Sequence, residues 1–121
     1  MTGRSYSKRD IDSLQTIVGF CEDIEHIVER HGSGENDFEE DISLQYSCIF
    51  ALTQIGEYVK NLSSDLKGQR PEIKWKDIVN MRNFIVHNYA SIDLLVLRKT
   101  VLVDVPDLKE KCRSILTVAD G

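Results

Sequence analysis

Within Met81-Arg82-Asn83-Phe84-Ile85-Val86-His87-Asn88-Tyr89 an arginine, a histidine and a tyrosine fall close together, with four residues between the first two and one between the last two. Arginine offers a planar fork of donors that neutralises a phosphate, and histidine titrates near neutral pH, so the two supply much of what metal-free phosphodiester cleavage needs. The tyrosine adds a hydroxyl. The surrounding residues Trp75, Ile78, Val79, Ile85 and Val86 recur at helical spacing, so the trio must be carried by a helix.

The bulk numbers bound the possibilities. A chain of 121 residues, 41% hydrophobic, supports one domain with one core, over residues 1–121. A net charge of −5 excludes a protein that coats nucleic acid through a general positive field. Between Lys67 and Asn88, however, five basic residues (Lys67, Arg70, Lys74, Lys76, Arg82) stand against two acids (Glu72, Asp77), a local +3 that leaves −8 elsewhere. That asymmetry permits a focused anion site, although a basic stretch this modest is more often an ordinary solvated face. Cys21, Cys48 and Cys112 are odd in number and far apart within apolar-periodic stretches, which fits neither a disulfide framework nor a zinc site. The expectation is small core residues, no metal and no cofactor. Neither the N-terminus, Met1 to Ser7, nor any later run has the apolar length of a signal peptide or a membrane span, so a soluble, cytoplasmic protein without membrane contact is expected.

Stepping along the chain, Ile11, Leu14, Ile17, Val18, Cys21, Ile24, Ile27 and Val28 predict an amphipathic first helix opened by Ser7 and Asp10. Gly32 to Asp41, with two glycines and five acids, reads as a loop feeding the acidic start of the next helix. The second helix is expected from Ile42 to Leu66, with two apolar stripes and therefore two packing partners, ended by Gly68 and Pro71. A third is expected from Trp75 to His87. Ser91 would cap a fourth running from Ile92 to about Val103. Asp104-Val105-Pro106-Asp107 then predicts a fifth helix, or a kinked continuation, through Leu108, Cys112, Ile115 and Leu116. No strand pattern occurs. The fold class is all-α, an up-and-down bundle of four to five helices.

On a helical wheel, Arg82 and Tyr89 lie in the apolar arc of the third helix, whereas His87 falls about 140° from Arg82, beside Asn83 and near Asn80. A regular helix therefore cannot aim both Arg82 and His87 of one chain at one phosphate. Either the helix frays after Val86, or a second subunit completes the site across a two-fold axis. Plainer roles remain open beside these. Arg82 could be the structural partner of an acid such as Glu57, which lies in the apolar Ile55-Gly56-Glu57-Tyr58-Val59. His87 could serve as a helix C-terminal dipole partner and Tyr89 as a core or rim aromatic. His26 and His31 have only such plain readings.

Arg82, His87 and Tyr89 match the R-x4-H-x-Y motif of the HepT-like branch of the HEPN superfamily, which the chain resembles from about Ile11 to Leu116. Ile55-Gly56-Glu57, Trp75-Lys76-Asp77-Ile78, Tyr89-Ala90-Ser91-Ile92-Asp93 and Asp104-Val105-Pro106-Asp107-Leu108 resemble that family in the same order. The resemblance implies a homodimeric helical bundle acting as a metal-independent ribonuclease toxin on RNA. It also implies a cognate antitoxin, a minimal nucleotidyltransferase. By the same resemblance Arg82 and His87 are the catalytic pair, supported by Asn83 and Glu57, and Tyr89 is the tyrosine that receives AMP and silences the toxin. The acidic stretch 35–41 matches nothing functional. Two other classes compete: a non-catalytic module that binds nucleotide or a nucleotidyltransferase, and a purely structural dimerisation bundle.

Overall fold

The computed structural model describes residues 6–120. The first residues of the N-terminal stretch, Met1 to Ser5, lie outside the described residues. Four long helical rods form the bundle: α1 (Lys8–His31), α3 (Ile42–Lys60), α5 (Trp75–Asn88), and a rod made of α6 (Leu94–Lys99) and α7 (Val105–Asp120). Two six-residue helices, α2 (Glu35–Glu40) and α4 (Ser64–Gln69), lie in the connections. The helices α1 and α3 pack on each other, α1 also against α7, and α3 also against α5, so α3 does have the two partners that its stripes predict. The core is Leu14, Ile17 and Ile24 from α1, Leu52, Ile55 and Val59 from α3, and Val101, Val105 and Ile115 from the last rod. Among the described residues no strand occurs and no helix is long and apolar enough to cross a membrane.

The helix starts follow local chemistry. Ser7, in extended backbone, accepts from the amide of Asp10 and caps α1. Gly32 ends α1 with φ +104°, and an added Cβ there would lie 2.5 Å from Asp37 Oδ2, so the position requires glycine on two grounds. The three cysteines are core residues as expected, and burial pushes the thiols of Cys21 and Cys112 up to about 12 and that of Cys48 up to about 11.

Three boundaries differ from the sequence expectation, each for a physical reason. The acidic stretch 35–41 is not all loop. Phe38 is buried beneath it, Asp37 accepts from the amide of Gly34 at 2.8 Å, and a helical turn results. The second helix stops at Lys60 rather than Leu66 because Asp10, buried and 53 positions away, takes the Ser63 amide at 3.0 Å and the Ser63 hydroxyl at 2.5 Å. That amide can no longer join a helical ladder, and Ser63 instead caps α4 through Leu66. The fourth helix starts at Leu94, capped by Asp93 rather than Ser91, and does not end at Val103. It widens into a π turn, Thr100–Asp104, and runs on as α7, the kinked continuation. Pro106 has no amide to give the turn before it, and a π turn absorbs such a break without ending the rod.

Asp41 joins two elements: it caps α3 through the Leu44 amide at 3.0 Å and receives His31 Nδ1 at 2.8 Å. The Leu44 amide and, after it, His31 hold the Asp41 carboxyl below the ordinary carboxylate value. A lowered folded-state value contributes stability that is complete above the unfolded value, near pH ~4, and is lost as pH falls through the folded one. Asp41→Asn retains a capping side chain without the charge. Its unfolding free energy in urea should fall less steeply than the wild type's below about pH 4, and identical acid limbs would contradict this.

Candidate active site

Arg82 sits where α5 packs against α3. A Cβ added to Gly56 would lie 2.2 Å from Arg82 Cβ and 3.5 Å from its Cα, so the absence of a side chain at Gly56 lets the two helices meet at the arginine. The guanidinium Nη2 then reaches Glu57 Oε2 at 2.8 Å, and Nη1 donates to Asn83 Oδ1 at 3.0 Å. The structural partner weighed from the sequence is therefore present. The Glu57 contact is an ion pair without an aligned hydrogen bond, since Arg82 Nε and Glu57 Oε2 are both buried without a hydrogen-bond partner. The arginine side chain keeps 23% of its exposure and the glutamate 40%. Pairs this wet contribute about 1 kcal/mol or less to stability, so what the pair supplies is position.

His87 belongs to regular helix, since α5 continues through Asn88. Fraying after Val86, one of the two escapes from the wheel problem, does not occur. Within one chain His87 stands roughly 7.5 Å along the axis from Arg82 and about 140° around it. The imidazole is exposed in the last turn and has no hydrogen bond or ion pair among the described residues.

Tyr89 departs from the expected stripe. Asn88 leaves helical backbone at φ −138° and ψ 27°, and Tyr89 opens a 3-10 turn, Tyr89–Ser91, in which it is 59% exposed. It is therefore neither a core aromatic nor a neighbour of Arg82 by helical register. Val86 and Phe84 are also exposed on this half of α5, and Tyr46 and Phe50 are exposed on α3. The structure thus joins Arg82, Glu57 and Asn83 directly, places His87 on the same helix facing elsewhere, and leaves Tyr89 open to solvent. What sequence reasoning passed over is the steric part played by Gly56. Its signal is a glycine in mid-helix, where it costs about 1 kcal/mol relative to alanine unless close packing requires it.

The family described as ribonuclease HepT-like matches residues 17–115, which include the whole Arg82 to Tyr89 segment. A protein of Methanocaldococcus jannaschii named as an RNase is 31% identical over 87% of this chain and 95% of its own length. One of Thermococcus cleftensis that carries the name ribonuclease HepT is 44% identical over 62% of this chain and 68% of its own. One of Caldanaerobacter subterraneus subsp. tengcongensis, also named as an RNase, is 31% identical over 85% and 90%. No solved structure matches the chain.

The Gly56 contact has a sign that can be checked. Glycine to alanine in a helix interior ordinarily stabilises, by up to about 1 kcal/mol. Here Gly56→Ala should destabilise by roughly 1–3 kcal/mol, because the Arg82 backbone must move. A raised Tm would show that the helices do not meet as described.

Proposed function

The chain belongs to the HepT-like ribonuclease family, and from that premise we propose that it is the toxin of a toxin-antitoxin pair, cleaving RNA in a cleft shared by two copies. It is a ribonuclease, and the reading concerns how its residues act. The observation that carries it is the division of labour on α5: Arg82 held by Glu57, and His87 on another sector of the same regular helix. Two copies related by a two-fold axis bring the arginine of one to the histidine of the other. The exposed apolar side chains Val86 on α5 and Tyr46 and Phe50 on α3 supply surface for such an interface.

In this reading the RNA's own 2′-hydroxyl is the nucleophile. His87 takes its proton, the 2′-oxygen forms a bond to phosphorus, and the 5′-oxygen departs with a proton returned by the imidazolium or by water. Arg82 neutralises the charge that builds on the phosphate oxygens. The products are a 2′,3′-cyclic phosphate and a 5′-hydroxyl. Asn83 keeps Arg82 oriented through its 3.0 Å hydrogen bond, and Glu57 does so through the ion pair. No metal or cofactor takes part in this scheme.

The regulation follows from the exposure of Tyr89. A cognate minimal nucleotidyltransferase transfers AMP from ATP to the Tyr89 hydroxyl with release of pyrophosphate. The attached anion then competes with RNA by occupancy and like-charge repulsion. The setting for toxin and antitoxin is the cytoplasm.

His87→Ala should keep its helical fold and Tm while losing cleavage by roughly 10²–10⁴-fold, and RNA with a 2′-deoxy group at the scissile nucleotide should resist the wild type. Cleavage of the deoxy substrate would reject the 2′-hydroxyl mechanism, and an unfolded His87→Ala would reassign the histidine to structure.

Tyr89→Phe should stay toxic on expression and escape the nucleotidyltransferase. Silencing that persists in this variant would exclude Tyr89 as the AMP acceptor.

A further inference from the structure

Viewed down α5 at about 100° per residue, Lys76, Asn80, Asn83 and His87 share a sector roughly 60° wide, and Phe84 borders it about 40° beyond Asn80. All five are exposed. Phe84, 52% exposed on the polar side of its helix, contributes nothing to the core. The only acid of α5, Asp77, lies about 60° outside the Lys76 to His87 sector. Lys76, Asn80 and His87 make no side-chain hydrogen bond or ion pair among the described residues. Lys8, Lys99, Lys109, Lys111, Arg70 and Arg113 reach carboxylates within 3.0 Å, whereas Lys76, like Arg9, Arg30, Lys60, Lys67, Lys74 and Arg98, reaches none among the described residues.

An unpaired ammonium, two amides and an exposed aromatic ring, set in one line that ends at His87, have the chemistry of a single-strand track. The ammonium suits a phosphate, the ring a base face, and the amides the base and ribose edges. From Lys76 to His87 the line is about 16 Å long, the reach of a few nucleotides of extended strand. We propose that single-stranded RNA lies along this stripe of α5, with the scissile phosphate at the His87 end, a neighbouring base stacked on Phe84, and a phosphate a few nucleotides away held by Lys76. The inference rests on the ribonuclease reading for its direction, and it adds substrate positions remote from the scissile bond. A structured duplex is disfavoured, because its bases present no free face to Phe84.

The test separates this inference from the catalytic one by measuring binding apart from cleavage. A labelled, unstructured single-stranded RNA is titrated against full-length His87→Ala, alone and with Lys76→Ala, Phe84→Leu or Lys8→Ala added, over a range of salt. Lys76→Ala should reduce the slope of log affinity against log salt by about 0.7, the value for one single-strand phosphate contact. Phe84→Leu should weaken binding on the order of tenfold and leave that slope alone. Lys8→Ala, which removes a charge at the start of α1, should leave the slope unchanged. In the cleaving enzyme, Lys76→Ala and Phe84→Leu should raise KM on this RNA with kcat retained, and the Lys76 effect should vanish on a dinucleotide. An unchanged slope for Lys76→Ala, undiminished affinity for Phe84→Leu, or loss of dimer mass on sedimentation of Phe84→Leu would overturn the track. If the binding effects hold and the wild type cuts no RNA, the track stands and the catalytic reading falls. If the wild type cuts RNA and the variants bind as it does, the reverse is true.

Discussion

The meeting of Gly56 and Arg82 is the constraint from which the rest of the site follows. A guanidinium on the packed face of a helix is costly unless it is paired or left partly in water, and here it is both. Glu57 adds little stability at that exposure, so the helix pair is held by its apolar neighbours: Trp75 and Ile85 on α5, Ile55 and Val59 on α3. Within that frame the ion pair and Asn83 decide where the charge points. The side chain of a larger residue at position 56 would occupy the space that the arginine stem fills.

Once Arg82 is turned toward α3, the geometry of a regular helix disposes of the remaining residues. His87 faces solvent beside Asn83, and no bend in α5 brings it round. The proposed two-fold cleft answers that separation, and the exposed aromatic and aliphatic side chains of α3 and α5 answer the need for an interface. Tyr89, just past the helix end in a 3-10 turn, is freed from the register that would have tied it to Arg82. Exposure of that side chain is what its proposed modification requires.

Much of this was legible in the residues. Apolar spacing located α1, most of α3, α5 and the last rod, because burial of one helical face is written at a period near 3.6. The R-x4-H-x-Y spacing located the candidate site and the family. The breaks were not legible, since they depend on distant contacts: the end of α3 is decided by Asp10 acting on Ser63, and the helical turn of α2 by Phe38 finding the core. The wheel placed Arg82 on the apolar face of its helix and left its pairing with Glu57 open, which the structure resolves. It misplaced Tyr89 because a wheel assumes that the helix goes on, and Asn88 ends it. The need for a glycine at 56 is visible only when the opposing helix is present.

The central claim is that Arg82 of one copy works with His87 of another, and subunit complementation tests it most directly. Arg82→Ala and His87→Ala proteins, each inactive alone, are mixed under conditions that exchange subunits, and RNA cleavage is measured. A shared cleft predicts recovered activity, because one of the two sites in the mixed dimer holds both the wild-type arginine and the wild-type histidine. Mixed dimers that form and remain inactive would contradict it and place both residues of each site in a single chain.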